Sequence, residues 1–162
     1  MIFLTVGTLF PFDRLVKAID KAVADKVITE DVFAQIGREA YKPKNFDSAE
    51  VLDKHTYDSC VINSSSLISH AGMGSIAIAL NNNKPLLVMP RMHRHREHIN
   101  DHQIETAKKF EMLGHILAAY QAGELADKLI ELRTFVPTAR HIKSEPVVEK
   151  ISQFLTRTYE DH

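Results

Sequence analysis

The sequence predicts a doubly wound α/β domain, a mainly parallel sheet with helices on both faces. Three observations carry that reading. Short β-rich apolar runs alternate with longer stretches whose apolar residues recur at helical spacing, the pattern of βαβ units. Several of the short runs stop at a glycine or proline, as at Gly7, Gly37 and Pro90. The chain has 162 residues, 44% of them hydrophobic and 25% charged, which suits a single globular core and excludes disorder, collagen and coiled coil. With no internal repeat and no linker, residues 1–162 are expected to form one domain.

Ile2–Val6 reads as a buried first strand ending at Gly7-Thr8. A helix follows, since Phe12, Leu15, Val16, Ile19 and Val23 fall on one face. Val32–Ile36 is the second strand, and Tyr41–Asn45, with Pro43 and two lysines, is a surface loop. Ala49–Leu52 is expected as a short third strand and residues 56–64 as a weak helix. Ser66–His70 makes the fourth strand. After Ala71–Ser75 a helix runs from Ile76 to Leu80, stopped by Asn81–Asn83 and Pro85. Leu86–Met89 is the fifth strand, and a long helix is expected from Glu97 to Leu113. Ile116–Ala119 is the sixth strand. Helices at Gly123–Arg133 and Pro146–Arg157 close the pattern, and the terminal one (146–158) is a candidate contact for a partner.

Composition narrows the function classes. Lys plus Arg number 20 against 21 Asp plus Glu, a formal net charge of −1. Global attraction to nucleic acid needs a basic excess, so none is expected. One cysteine, Cys60, allows no intrachain disulfide and points to a reducing compartment. It reads as a small apolar packing residue. The start, MIFLTVGT, resembles neither a signal peptide nor a membrane span, so a cytoplasmic location is expected.

Ligands of such sheets bind beyond the carboxyl ends of the strands. That rule gathers Gly7-Thr8, Gly37, His70–Ser75 and Pro90–Arg96 around one crevice. Within it, Gly72 and Gly74 permit a tight turn and close backbone approach. Free amides at the following helix start, Ser75 and His70 complete an anion site suited to a diphosphate. The alternative is a strand–helix turn with glycines for packing alone. No Gly-Lys-Ser/Thr is present, and GMGS lacks the third glycine of the dinucleotide fingerprint. Nucleoside triphosphatase and nicotinamide chemistry are therefore set aside.

Arg91, Arg94 and Arg96 follow the fifth strand and are placed to clamp phosphate, or to form a solvated basic loop that touches acidic lipid headgroups. His98 and His102 stand i, i+4, yet interleaved arginines and the lack of a third ligand argue against a metal. Asp13 reads as a helix cap or an acceptor contact, Met73 as packing or a lid, and Tyr41 as a base-stacking or surface aromatic.

TVGT at 5–8 with FDRL at 12–15, SHAGMGSI at 69–76, and NKPLLVMPR with EHINDHQ between 83 and 103 resemble family 28 glycosyltransferases. They are most similar to the small single-domain subunits of split enzymes there, such as exopolysaccharide glycosyltransferase small subunits and the dolichyl-diphosphate N-acetylglucosaminyltransferase catalytic subunit. The similarity runs from Met1 to about Leu117. It implies the carboxyl-terminal, nucleotide-sugar-binding half of a GT-B enzyme. His70, Gly72, Gly74 and Ser75 would hold the UDP diphosphate, with Gly7 and Thr8 on the loop that faces the same phosphates. Glu97 would touch the sugar hydroxyls, with Asn100 and Gln103 close behind. His70 and Glu97 are the residues nearest the chemistry. Many relatives hold the ribose with a glutamate where Ile78 stands, so ribose contact must come from elsewhere.

The resemblance further implies inverting transfer of a hexose or hexuronic acid from a UDP-sugar to a lipid-linked acceptor. No cofactor beyond the donor is expected. A membrane-anchored partner would supply the acceptor half and the general base, recruiting the chain to the inner membrane face. The sequence has no Asp-x-Asp to hold a cation, so amides and cationic side chains would stabilise the departing diphosphate. A non-catalytic accessory subunit, or a free-standing phosphate-binding regulator, would keep the same fold.

Overall fold

The computed structural model describes residues 1–8 and 10–138. Six strands form one parallel sheet in the order β3-β2-β1-β4-β5-β6: β1 (Ile2–Thr5), β2 (Val32–Gln35), β3 (Asp47–Ala49), β4 (Ser66–His70), β5 (Leu86–Met89) and β6 (Leu117–Ala118). Among the described residues, five α-helices connect and cover them: α1 (Asp13–Ala24), α2 (Lys54–Asn63), α3 (Met73–Asn81), α4 (His102–Met112) and α5 (Leu125–Leu132). Strand order reverses direction between β1 and β4. At such a switch point the two following loops diverge and open a crevice.

Alternation along the buried strands builds two cores. Ile2, Leu4, Ile68, Leu87 and Met89 pack with Leu15, Val16 and Ile19 of α1 and Leu125, Leu129 and Leu132 of α5. Phe3, Leu67, Leu86 and Val88 face Val61, Ile76, Ala79, Leu80 and Ala107 of α2, α3 and α4. Buried on both faces, these strands are continuous apolar runs, which is why the sequence located them. Among the described residues, no helix is long and apolar enough to cross a membrane.

Three elements differ from expectation. β3 is Asp47–Ala49, upstream of the expected Ala49–Leu52. It is an edge strand, and Val51 and Leu52 are apolar for another reason: Leu52 turns in to pack against the second core. α3 starts at Met73, so Met73, Gly74 and Ser75 are its first turn and Gly72 its N-cap. The expected helix from Glu97 to Leu113 does not begin until His102. His93–His95 forms a 3-10 turn, and Arg96 follows in the left-handed region at φ 57°, which interrupts a helix before it can propagate. His98 and His102 therefore do not share a helix face. The segment Pro146–Arg157 lies outside the described residues.

Asp13 does not cap α1. Phe12 occupies that position, and Asp13 accepts the Tyr41 amide at 2.9 Å. Tyr41 is half-buried against the first core, and its hydroxyl donates to Asp20 at 2.7 Å. Asp20, 4% exposed, also accepts from the Lys44 amide and from the amide and side chain of Asn45. Burial alone would raise its pKa. The hydrogen bonds from Tyr41, Asn45 and Lys44 outweigh burial and hold it below the usual carboxylate range. Asp20→Asn removes the charge and leaves donors facing donors, so a loss of about 2 kcal/mol is expected in urea unfolding.

Candidate functional site

At the switch point lies a crevice of about 650 Å³, bordered by Gly7 and Thr8 after β1, His70 of β4, and Gly74, Ser75 and Ile78 of α3. Gln35, Leu52, Tyr57, Arg91, His98 and Gln103 complete much of its wall. The first intrahelical bond after β4 is from the Ile76 amide to Gly72 O, and no side chain caps the helix. Among the described residues, the amides of Met73, Gly74 and Ser75 thus have no acceptor, at the positive end of the α3 dipole. Among the described residues, a methyl on Gly74 would meet nothing within 4 Å, so the space above this turn is clear of them.

His70 is wedged between two glycines. A β-carbon on Gly72 would lie 2.3 Å from His70 Nε2, and one on Gly7 would lie 3.2 Å from Cε1. Gly7 also takes a left-handed φ of 80°, so it answers two demands that alanine could not. On the other side of the ring, Nδ1 lies 3.2 Å from Ser69 Oγ, whose proton goes to Thr5 O at 2.7 Å. That chain fixes the proton on Nδ1 and leaves Nε2 as a bare acceptor. Burial first, with the Arg91 guanidinium and His98 nearby, pushes the imidazole down to about 4, against the favourable Thr5 carbonyl. The expected imidazole donor is therefore an acceptor in the free chain.

Arg91 is 4% exposed and braces the loop after β1: Nη2 donates to Val6 O at 2.9 Å and Phe10 O at 2.6 Å. Its own amide is held by Gln103 Oε1 at 3.0 Å, which ties α4 to the crevice. Two buried polar atoms have no partner among the described residues, Arg91 Nε and Gln35 Oε1, and both side chains line the crevice. Unpaired buried polar groups cost about 1–3 kcal/mol each and concentrate where a ligand or ordered water completes the pairing.

Glu97 is held in an ion pair: Arg14 Nε reaches Oε1 at 2.7 Å, and Arg14 Nη2 reaches Oε2 at 2.9 Å. The Met92 amide also donates to Oε2, at 3.0 Å. Burial would raise this carboxyl, yet Arg14 and Met92 bring it below its ordinary value. Any contact of Glu97 with a sugar would have to share that pair. The Phe12 ring centroid lies 5.2 Å from the Arg14 guanidinium and 5.1 Å from that of Arg91, seating Arg91 against the start of α1. Met73 is half-exposed at the α3 start. Asn100 is exposed, does not line the crevice, and accepts the His102 amide at 3.2 Å. Arg94 and Arg96 face a neighbouring cavity instead. Cys60 is half-buried, and burial pushes its thiol up, as befits packing.

Gln35, Tyr57 and Arg14 were not singled out from the sequence. For Gln35 the signal was present, a polar residue closing an otherwise apolar buried strand. The Arg14–Glu97 pairing, 83 residues apart, leaves no trace in spacing.

This strand order, with an uncapped helix start at the switch point, defines a Rossmann-like α/β domain. The chain matches the glycosyltransferase family 28 C-terminal domain over residues 1–154, and it belongs to that family. It is 32% identical over 124 residues to the human UDP-N-acetylglucosamine transferase subunit ALG13, covering 71% of this chain and 10% of that one. It is 41% identical over 68 residues to the Candida glabrata protein of the same name, covering 41% of this chain and 32% of the relative. The chain thus spans a third or less of these relatives. Solved structures share the fold: an ALG13 solution structure at TM-score 0.61 and 20% identity, covering 93% of each chain, and Acinetobacter baumannii MurG at TM-score 0.55 and 16% identity, covering 93% of this chain and 49% of that one.

Proposed function

We propose that this chain is the donor-binding subunit of a two-subunit inverting glycosyltransferase of glycan biosynthesis. The observation that carries this reading is the open first turn of α3, three amides with no acceptor among the described residues, under a crevice with a buried arginine in its wall. A UDP-sugar would lay its diphosphate on the Met73, Gly74 and Ser75 amides and the Ser75 hydroxyl. As the glycosidic bond breaks, charge develops on that diphosphate, and a preorganised dipole stabilises it without reorganisation. His70 Nε2 lies beside the same turn and takes up a proton when the anion arrives. Glu97 acts as a positioning residue, holding the loop after β5 to α1 through Arg14.

The relatives' names make UDP-N-acetylglucosamine the first donor to test, with UDP-hexoses and UDP-hexuronic acids as the other arms. The domain 1–162 would pair with a membrane-anchored subunit that carries the lipid-linked acceptor site and general base, so that the chain works at the cytoplasmic membrane face. Ile78 in the crevice wall supports the rival reading, an accessory subunit that binds no donor, because it offers the ribose no hydrogen bond. Titration calorimetry of the full chain with UDP and each UDP-sugar separates the two. Saturable binding is expected; absence of heat, both alone and with the partner, would leave the accessory role.

A further inference from the structure

Beside the crevice lies a second cavity of about 730 Å³, built by the loop between β5 and α4 together with Phe10. Its chemistry is different. Ile99 is 86% exposed and Phe10 60%, the first at the tip of a turn and the second on the loop after β1. Arg94 and Arg96 flank them, both exposed, and among the described residues neither meets a carboxylate within ion-pair distance. Of the loop's acids, Glu97 lines the cavity but is bound to Arg14 and the Met92 amide, and the exposed Asp101 accepts the His93 amide at 2.8 Å and lies outside the cavity. The exposed rim of the cavity is therefore apolar and cationic, its lining carboxylate neutralised by Arg14. The left-handed Arg96 turns the chain so that the arginines and Ile99 belong to one cavity rim.

We propose that this loop docks directly on an anionic bilayer surface. Ile99 and Phe10 enter the boundary between headgroups and acyl chains, and Arg94 and Arg96 pair with lipid phosphates. Two apolar side chains with two cations match the composition of interfacial anchors, in which partial burial and electrostatic attraction add. Such a contact is weak and reversible, and a second attachment would make it lasting. Phe10 and His98 border both cavities, so docking sets the crevice mouth at the lipid surface. The contact does not depend on what the crevice binds.

The test is sedimentation of the full chain with phosphatidylcholine vesicles in which one lipid in four is phosphatidylglycerol, against pure phosphatidylcholine. Binding is expected to the anionic vesicles only and to fade in high salt, where the screening length contracts to about 3 Å at 1 M. The double variant Arg94→Glu/Arg96→Glu should lower the partition coefficient by roughly tenfold or more. The chain contains no tryptophan, so Ile99→Trp, which leaves both arginines in place, gives a single reporter. Its emission should shift to the blue on anionic vesicles and stay unchanged on neutral ones. Equal binding to both vesicle types, an undiminished double variant with a native melt, or a tryptophan that stays in water would overturn the proposal. In the last case the loop is a protein interface or simply solvated.

Discussion

Ser75→Asp should leave the fold as stable as the parent chain while weakening UDP binding by roughly a hundredfold or more. The two halves of that expectation have one cause. A carboxylate in the first turn of a helix interacts favourably with the dipole, by about 0.3–1 kcal/mol, so α3 itself gains. A diphosphate on the same amides would meet that charge at close range. At about 4 Å and an effective dielectric of about 20, each pair of unit charges repels by about 4 kcal/mol before screening. Each 1.4 kcal/mol is about a factor of ten. Gly74→Ala is the neutral companion: among the described residues its methyl meets no neighbouring element within 4 Å, and alanine is the better helix former. Its melting temperature should hold or rise while affinity falls, because the methyl fills the space above the turn. Thermal melts with UDP calorimetry read both halves. Full affinity in Ser75→Asp would place the diphosphate elsewhere.

The sheet was legible because its central strands are buried on both faces and so carry uninterrupted apolar runs; β4 and β5 have the bounds expected of them. The edge strand was not, because Asp47-Ser-Ala49 has no β signature and owes its pairing to β2 alone. The crevice loops were legible through one topological rule applied to Gly7, His70–Ser75 and Arg91. The roles of the charged residues within them were not. Arg91 and Glu97 look alike in sequence as groups available to a ligand, yet one braces two carbonyls and the other holds Arg14. Long-range pairing decides which charged groups are left free, and spacing is blind to it. The tautomer of His70 depends likewise on Ser69 and on the Thr5 carbonyl, 64 residues from Ser69.

The protonation of His70 has the second large consequence. Its pKa lies near 4 in the free fold, against about 6.5 in an unfolded chain. Between those values the unfolded state binds a proton that the fold refuses. Stability from this group is therefore complete above about pH 6.5 and is lost as pH falls toward about 4, by at most about 3 kcal/mol. His70→Gln should flatten the stability profile in that window, as read by urea unfolding at stepped pH. Binding carries the opposite sign. An anion beside Nε2 favours the imidazolium, so UDP association should take up a proton, approaching one per site, and tighten as pH drops from 7 toward 5. Calorimetry in two buffers of different ionisation enthalpy measures that uptake. The difference between parent and His70→Gln isolates the one ring. If the two proteins show the same proton uptake, the diphosphate does not reach His70, and the α3 amides hold it without that ring.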